Sequence, residues 1–388
     1  MTDRAHAITL FGATGFTGAL AARYLAENAP RGTDWAIAGR NAKKLEAVRR
    51  SLEGTPCPPS TVLQAEASDD ASLERVARAS RVIATTVGPY ELHGFPVVRA
   101  AVRGGADYVD ITGEPSFVNR TIDELSDEAE KARLRVVSCC GFDSIPHDLG
   151  AQFTAEKLVA LGATTEPMTI EAFVRSRGTF SGGTWQSAIN GMAHLRDAKP
   201  PRRRAKLEGR RVRGEPLRIK WVPELTSWAC PLPTIDPQIV LRSAAHLPEF
   251  GPDFQYGHFA RVRSLPTILI ALSAVGAVVG LTQFGPTRDL LKRVKRSGDG
   301  PSEEQRKKGW FEVTFLGRAG DLRVTTSVAG GDPGYSETAK MISESALCLA
   351  LDRKKLPEAY GVITTAVAMG PVLRERLSKA GMRFQVKS

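Results

Sequence analysis

The sequence predicts an α/β protein, a Rossmann-type doubly wound parallel sheet joined to a second α+β domain with a mainly antiparallel sheet. Three observations predict it. A strand, a glycine turn and a helix open the chain; short apolar strands alternate with helical stretches as far as residue 150; longer alternating strands follow. A length of 388 residues suits two domains, and 42% apolar content suffices for two cores.

The first strand, Ala5–Phe11, runs into Gly12-Ala13-Thr14-Gly15-Phe16-Thr17-Gly18 and a helix over Ala19–Glu27. Here Gly12 permits a tight turn, Gly15 lets backbone N–H groups approach a pyrophosphate, and Gly18 lets the helix pack on the strand. The helix dipole favours the negative charge. Thr14, Phe16 and Thr17 complete the candidate loop, whose GxxGxxG spacing departs from the commoner GxGxxG.

The second strand, Asp34–Ala38, ends in Gly39-Arg40, where an NAD-preferring site usually carries an acid. Arg40 can pair with a 2′-phosphate, with Asn41, Lys43 and Lys44 nearby, so NADP is favoured over NAD. The plainer reading of Arg40 is a solvated helix start. The third strand, Thr61–Ala65, precedes Ser68 and Asp69, a candidate adenine-side loop. The fourth, Arg81–Val87, ends in Gly88-Pro89-Tyr90, and Tyr108–Ile111 and Arg135–Ser138 complete the sheet. Ligands of such sheets lie beyond the carboxyl ends of the strands, so Gly88, Pro89 and Tyr90 should line the nicotinamide half, with Thr86 a further cofactor-binding candidate. Gly88-Pro89 also reads as a simple turn.

Several short motifs in shared order give the chain a resemblance. Gly12–Gly18, Ala38-Gly39-Arg40, Val87–Tyr90, Tyr108–Glu114, Gly141–Pro146, Ser181–Thr184 and Gly331–Tyr335 resemble the saccharopine dehydrogenase-like oxidoreductases. More narrowly they resemble the trans-acting enoyl reductases of actinobacterial polyketide lipid synthesis. The resemblance implies an enoyl, lipid-like acyl substrate, presented by a carrier protein or at a membrane, alongside the NADP preference read from Arg40.

Delivering hydride to an unsaturated thioester leaves an enolate, which needs an oxyanion partner and a proton donor. The chain has no Tyr-x-x-x-Lys pair, which argues against short-chain dehydrogenase chemistry. Tyr90 and His93 follow the fourth strand, while Asp143, Ser144 and His147 follow the sixth. Tyr90, Asp143 and His147 are the candidate catalysts; the plainer readings are that Asp143 caps the helix after Ser144 and that His147 is a satisfied helix-start residue. Ser181-Gly182-Gly183-Thr184-Trp185 is either a substrate contact or a helix N-terminus. Two other functions stay open: an imine-type oxidoreductase, and a non-catalytic NADP-binding adaptor at a membrane.

The domains are expected at 1–150, at 151–334, and at 335–388 as C-terminal helices packing back on the first. Within the second, Thr169–Arg175, Trp310–Leu316 and Asp321–Val328 read as antiparallel strands, the last two joined by a Gly317–Gly320 turn. Tyr335–Leu351 reads as an amphipathic helix with Ala339, Ile342, Ala346 and Leu349 on its core stripe.

The net charge of +11 is concentrated in two runs. Lys199–Lys220 holds ten basic residues against Glu208 and Glu215, and Arg288–Lys308 holds eight against four acidic. Nucleic acid is not an expected partner, since the first run lacks interleaved aromatics and no nucleic-acid motif is present. An anionic membrane surface or an acidic carrier protein fits clustered charge. Between the runs, residues 268–281 hold Ser273 as their one polar side chain. A buried core helix, an interfacial helix and a span are all open, and the flanking cations favour an anionic surface. The five cysteines are odd in number without a CxxC pair, so they read as reduced thiols and no metal centre is expected. The N-terminus carries no apolar leader, which places the expected protein in the cytoplasm, peripheral at the inner face of the plasma membrane, with a homodimer open.

Overall fold

The computed structural model describes residues 4–163, 165–178, 209–294 and 300–387. The chain begins β1 His6–Phe11, α1 Phe16–Asn28, β2 Trp35–Gly39, α2 Ala42–Ser51, β3 Thr61–Gln64, α3 Asp70–Ala79 and β4 Ser80–Thr85. It continues with α4 Tyr90–Gly104, β5 Asp107–Asp110, α5 Pro115–Lys131, β6 Arg135–Val137 and α6 Ile145–Ala160. Then come β7 Met168–Arg177, β8 Arg211–Gly214, β9 Lys220–Val222, β10 Ser227–Pro231, α7 Asp236–His246 and β11 Asp253–Val262. Helices α8 Leu265–Thr282, α9 Gly285–Val294 and α10 Glu303–Lys307 precede β12 Trp310–Ala319 and β13 Leu322–Gly330. The chain closes with α11 Ser336–Leu351, β14 Gly361–Val362, α12 Thr365–Ala368, α13 Gly370–Lys379 and β15 Arg383–Lys387.

Two compact units divide the described residues: 4–145 with 334–380, and 146–163, 165–178, 209–294 and 300–333 with 381–387. The C-terminal stretch is therefore shared. Its helices group with the first unit, whereas β15 pairs antiparallel with β13 of the second.

The first unit is built on a parallel seven-stranded sheet of order β14-β6-β5-β4-β1-β2-β3. Reading from β3 gives 3-2-1-4-5-6, the doubly wound order, whose direction reverses between β1 and β4. The central strands read as apolar runs because helices cover both faces; Ile8, Ala36, Ile37, Val82 and Val109 are completely buried. Helix α11 packs on α1 and on β1, β4 and β5. It departs from the amphipathic expectation in being buried on nearly every side, Ser343, Glu344 and Ser345 included. Its acids are accommodated by partners: Glu344 accepts from Tyr24 Oη at 2.8 Å and from Arg376 Nε at 2.7 Å.

The second unit is an eight-stranded mixed sheet of order β15-β13-β12-β7-β11-β10-β9, with β8 beside β11. Most pairings are antiparallel; β7 and β8 run parallel to β11. Phe173 and Phe259 stack at 5.5 Å on one buried face. The β12–β13 turn is tighter and later than expected, with Ala319 opposite Leu322 and Gly320 at φ +55°. Gly317 lies inside β12, where a Cβ would sit 2.7 Å from Thr154 Cγ2, so close packing on α6 explains this glycine.

Candidate active site

The site begins where β1 ends. Gly12 N donates to Ala38 O at 2.9 Å, which ties the turn to β2, and its φ of +99° suits glycine. A Cβ there would stand 2.7 Å from Val87 Cγ2. Gly15 N donates to Gly12 O at 3.0 Å, folding the loop over itself, and Gly15 is the N-cap residue of α1 without a side-chain cap. The start of α1 is thus a backbone cradle suited to a pyrophosphate. Thr14 and Gly15 are exposed, Thr17 is half-buried and Gly18 buried. The Phe16 ring is seated edge-on against Tyr335 at 5.1 Å.

The other cofactor candidates lie at neighbouring strand ends. Thr86 N donates to Phe11 O at 3.0 Å and its hydroxyl reaches Gly12 O at 3.4 Å, so the loop after β4 is stitched to the glycine turn at the switch point. Gly88 is exposed and Pro89 is the N-cap residue of α4. Arg40 is exposed at the end of β2, followed by Asn41, which caps α2 by accepting from Lys44 N at 3.0 Å. Ser68 is exposed. Asp69 caps α3, accepting from Ala71 N at 3.1 Å and Ser72 N at 3.3 Å, and these bonds hold its carboxyl below the usual range.

The three candidate catalysts occupy different surroundings. Tyr90 is buried; its hydroxyl donates to Thr85 O at 3.0 Å and accepts from Ile111 N at 3.3 Å, and burial raises its pKa far above the ordinary value. Asp143 is exposed on the loop after β6, its carboxylate against Gly113. His147 is buried in the second unit with Nδ1 2.7 Å from Asp236 Oδ1. His93 lies within α4, and Ser144 is buried at the entry to α6. Ser181–Trp185 lie outside the described residues.

Three features escaped the sequence reading. Asp110, at the carboxyl end of β5, is completely buried and accepts from Thr112 N, Cys139 N and Ser138 Oγ at 2.9–3.0 Å. Burial outweighs these bonds and pushes its pKa up to about 6. Glu114 reaches across to α4 and accepts from Tyr90 N at 3.2 Å and Glu91 N at 2.8 Å. Both acids stand in the Tyr108–Glu114 motif, which was the available signal. In the second unit, Asp236 joins two buried histidines, His147 and, at 3.6 Å, His258 Nε2, with nitrogen and carboxylate atoms all within 4.8 Å. Burial drives the His258 pKa down to about 4. Spacings of 89 and 22 residues left no local pattern to find.

A doubly wound sheet with a glycine cradle at its switch point and a cation closing β2 defines a dinucleotide-dependent oxidoreductase. Residues 8–137 match the model of the saccharopine dehydrogenase NADP binding domain. A Mycobacterium tuberculosis protein provisionally named a trans-acting enoyl reductase is 36% identical, covering 99% of this chain and 98% of its own. The trans-acting enoyl reductase of Mycobacterium ulcerans is 32% identical over 98% and 97%, and the lipid droplet localized protein of Caenorhabditis elegans is 29% identical over 98% of both. Yeast saccharopine dehydrogenase (L-Glu forming) shares the fold, with TM-score 0.56 at 15% identity over 98% of this chain and 99% of that one. The chain belongs to the saccharopine dehydrogenase-like oxidoreductases and is NADP-dependent.

Proposed function

We propose that the protein is a trans-acting enoyl reductase, which uses NADPH to saturate the α,β double bond of a lipid or polyketide acyl thioester presented by a separate carrier. The observation that carries this reading is the likeness, over almost the whole chain, to proteins bearing that name. The yeast dehydrogenase, at 15% identity, speaks for fold alone.

Bound NADPH supplies the hydride for the β-carbon. The glycine cradle seats the pyrophosphate, Arg40 pairs with the 2′-phosphate, and Thr86, Gly88 and Pro89 border the nicotinamide half. Saturation also requires a proton at the α-carbon. Asp143 is assigned that delivery because it is exposed on a loop beyond the carboxyl end of β6 and can draw the proton from water. Tyr90 is assigned a positioning role, its hydroxyl tying the end of β4 to the chain after β5. His147, tied to Asp236, is assigned a positioning role in the second unit.

The test is NADPH consumption with a series of long-chain enoyl thioesters. Asp143→Asn should keep NADPH affinity and lower turnover about a hundredfold or more. Turnover unchanged in that variant removes Asp143 from the role, and tight NADPH binding with no turnover on any enoyl thioester overturns the reading in favour of an imine substrate or an adaptor.

A further inference from the structure

Between β11 and β12 the second unit carries helix α8, most of which its own core does not use. Helix α8 has eighteen residues, LPTILIALSAVGAVVGLT, with no charged side chain and a length of about 27 Å. Only Ile268 and Thr282 are buried. Leu269, Ile270, Leu272, Val275 and Leu281 are 43–71% exposed, and Phe284 at the following turn is 68% exposed. A helix that rests on its own protein has one apolar stripe and one polar face, whereas α8 is apolar around its whole circumference. Its single internal serine, Ser273, turns its hydroxyl back onto Leu269 O at 2.9 Å. A second copy of the chain would cover one stripe and leave the rest in water; hydrocarbon covers every side.

The sheet decides how deep such a helix can go. Strand β11 runs parallel to β7 with Ala260 opposite Val174, and β12 runs antiparallel to β7 with Trp310 opposite Arg177. The chain therefore leaves the sheet after Val262 and re-enters at Trp310 at the same end, two strand spacings or about 10 Å apart. A helix crossing a bilayer would have to return through about 30 Å of hydrocarbon to reach Trp310. The returning segment contains Arg288, Asp289, Glu303 and Glu304, which hydrocarbon rejects.

We propose that α8 is a monotopic membrane anchor, sunk obliquely below the headgroups of one anionic phospholipid leaflet, with both of its ends on the same side. Helix α9 packs against α8 and lies at headgroup level, presenting exposed Leu290 to the acyl boundary. The flanks supply the charge complement: exposed Arg263 before α8, and Arg288, Lys292, Arg293, Lys295 and Arg296 after it against Asp289 alone. This anchoring does not depend on which reaction the first unit supports.

Flotation of the full-length protein with vesicles of phosphatidylcholine and phosphatidylglycerol tests it, followed by trypsin digestion of the floated fraction read by mass spectrometry. The protein should float, float less with phosphatidylcholine alone, and still be cut at basic residues on both sides of α8 while the vesicles are intact. The double variant Ile270→Glu, Val275→Glu should lose at least about tenfold of its bound fraction while still binding NADPH. Protein that stays at the bottom, alone or as a lipid-free dimer, overturns the anchor. Protection of residues 285–308 until the vesicles are dissolved shows a span instead, and equal flotation with neutral vesicles overturns the anionic preference.

Discussion

A side-chain carbon on Gly18 would stand 2.1 Å from the carbonyl oxygen of Gly12, so α1 can pack on β1 only while position 18 has no Cβ. The same methyl would lie 2.7 Å from the Thr86 hydroxyl, which joins the glycine turn to the loop after β4. Gly18→Ala must push backbone away from backbone, at a cost of about 1–3 kcal/mol. It should lower the thermal midpoint and NADPH affinity together. A variant with wild-type affinity would show that the cradle is not where the dinucleotide sits.

Arg40 ends β2 exposed and with no acid in its place to hold a ribose. Arg40→Ala should weaken NADPH by about tenfold, the loss of one charge-assisted bond, and leave NADH nearly unchanged. Competition of the two nucleotides for the site measures it. An equal loss for both would take the 2′-phosphate away from Arg40.

Asp110 gives a pH signature. Its folded pKa, about 6, lies above the ordinary 3.8, so the folded state holds the proton more tightly and stability falls as pH rises between those values. Above pH 6 the deficit is constant, at most about 3 kcal/mol. Asp110→Asn keeps an oxygen for the Thr112 and Cys139 N–H groups and has nothing to ionise. Its stability relative to wild type should climb from pH 4 to pH 6 and then level off in urea titrations. A difference that does not vary with pH would mean that Asp110 ionises as an ordinary carboxyl.

Glu114 caps α4 from another loop, accepting from the Tyr90 and Glu91 N–H groups. Glu114→Ala leaves both without that acceptor and should cost about 1–2 kcal/mol of stability. Glu114→Gln should recover part of it, since an amide oxygen still accepts. Equal loss in both variants would point to the charge rather than the cap.

The first unit was legible because its signals are local. Each of its first six strands is a short apolar run with a turn behind it, and Gly12, Gly15 and Gly18 declare a close approach within seven residues. The seventh, the two-residue β14, comes from the C-terminal stretch that was read as helices alone and escaped the reading. The second unit was legible only in β7, β12 and β13; β8, β9, β10, β11 and β15 escaped the reading. Its joints were hidden too: Gly317 looks like a turn residue in sequence, and its true constraint, Thr154, is remote. The same reason hid the His147, Asp236 and His258 cluster, which the fold of the sheet assembles. For the basic runs, counting charge overlooked pairing. Arg210 is spent on the Leu247 and Gly251 carbonyls, Arg213 on Asp253, and Lys220 on Glu171 and Glu215. Lys199–Lys206 lie outside the described residues. The apolar segment at 268–281 could not be placed from sequence, because a core helix and an exposed one share that composition; in the structure it is exposed, which removes the buried-core reading.

The most direct measurement is isotopic. The enzyme is given a long-chain enoyl thioester with NADPH deuterated at the transferable position in ordinary water, and then ordinary NADPH in heavy water. An enoyl reductase yields a saturated thioester with one deuterium at the β-carbon in the first case and one at the α-carbon in the second. NADPH bound tightly but no deuterium in any acyl product, with substrate recovered intact, would contradict enoyl reduction.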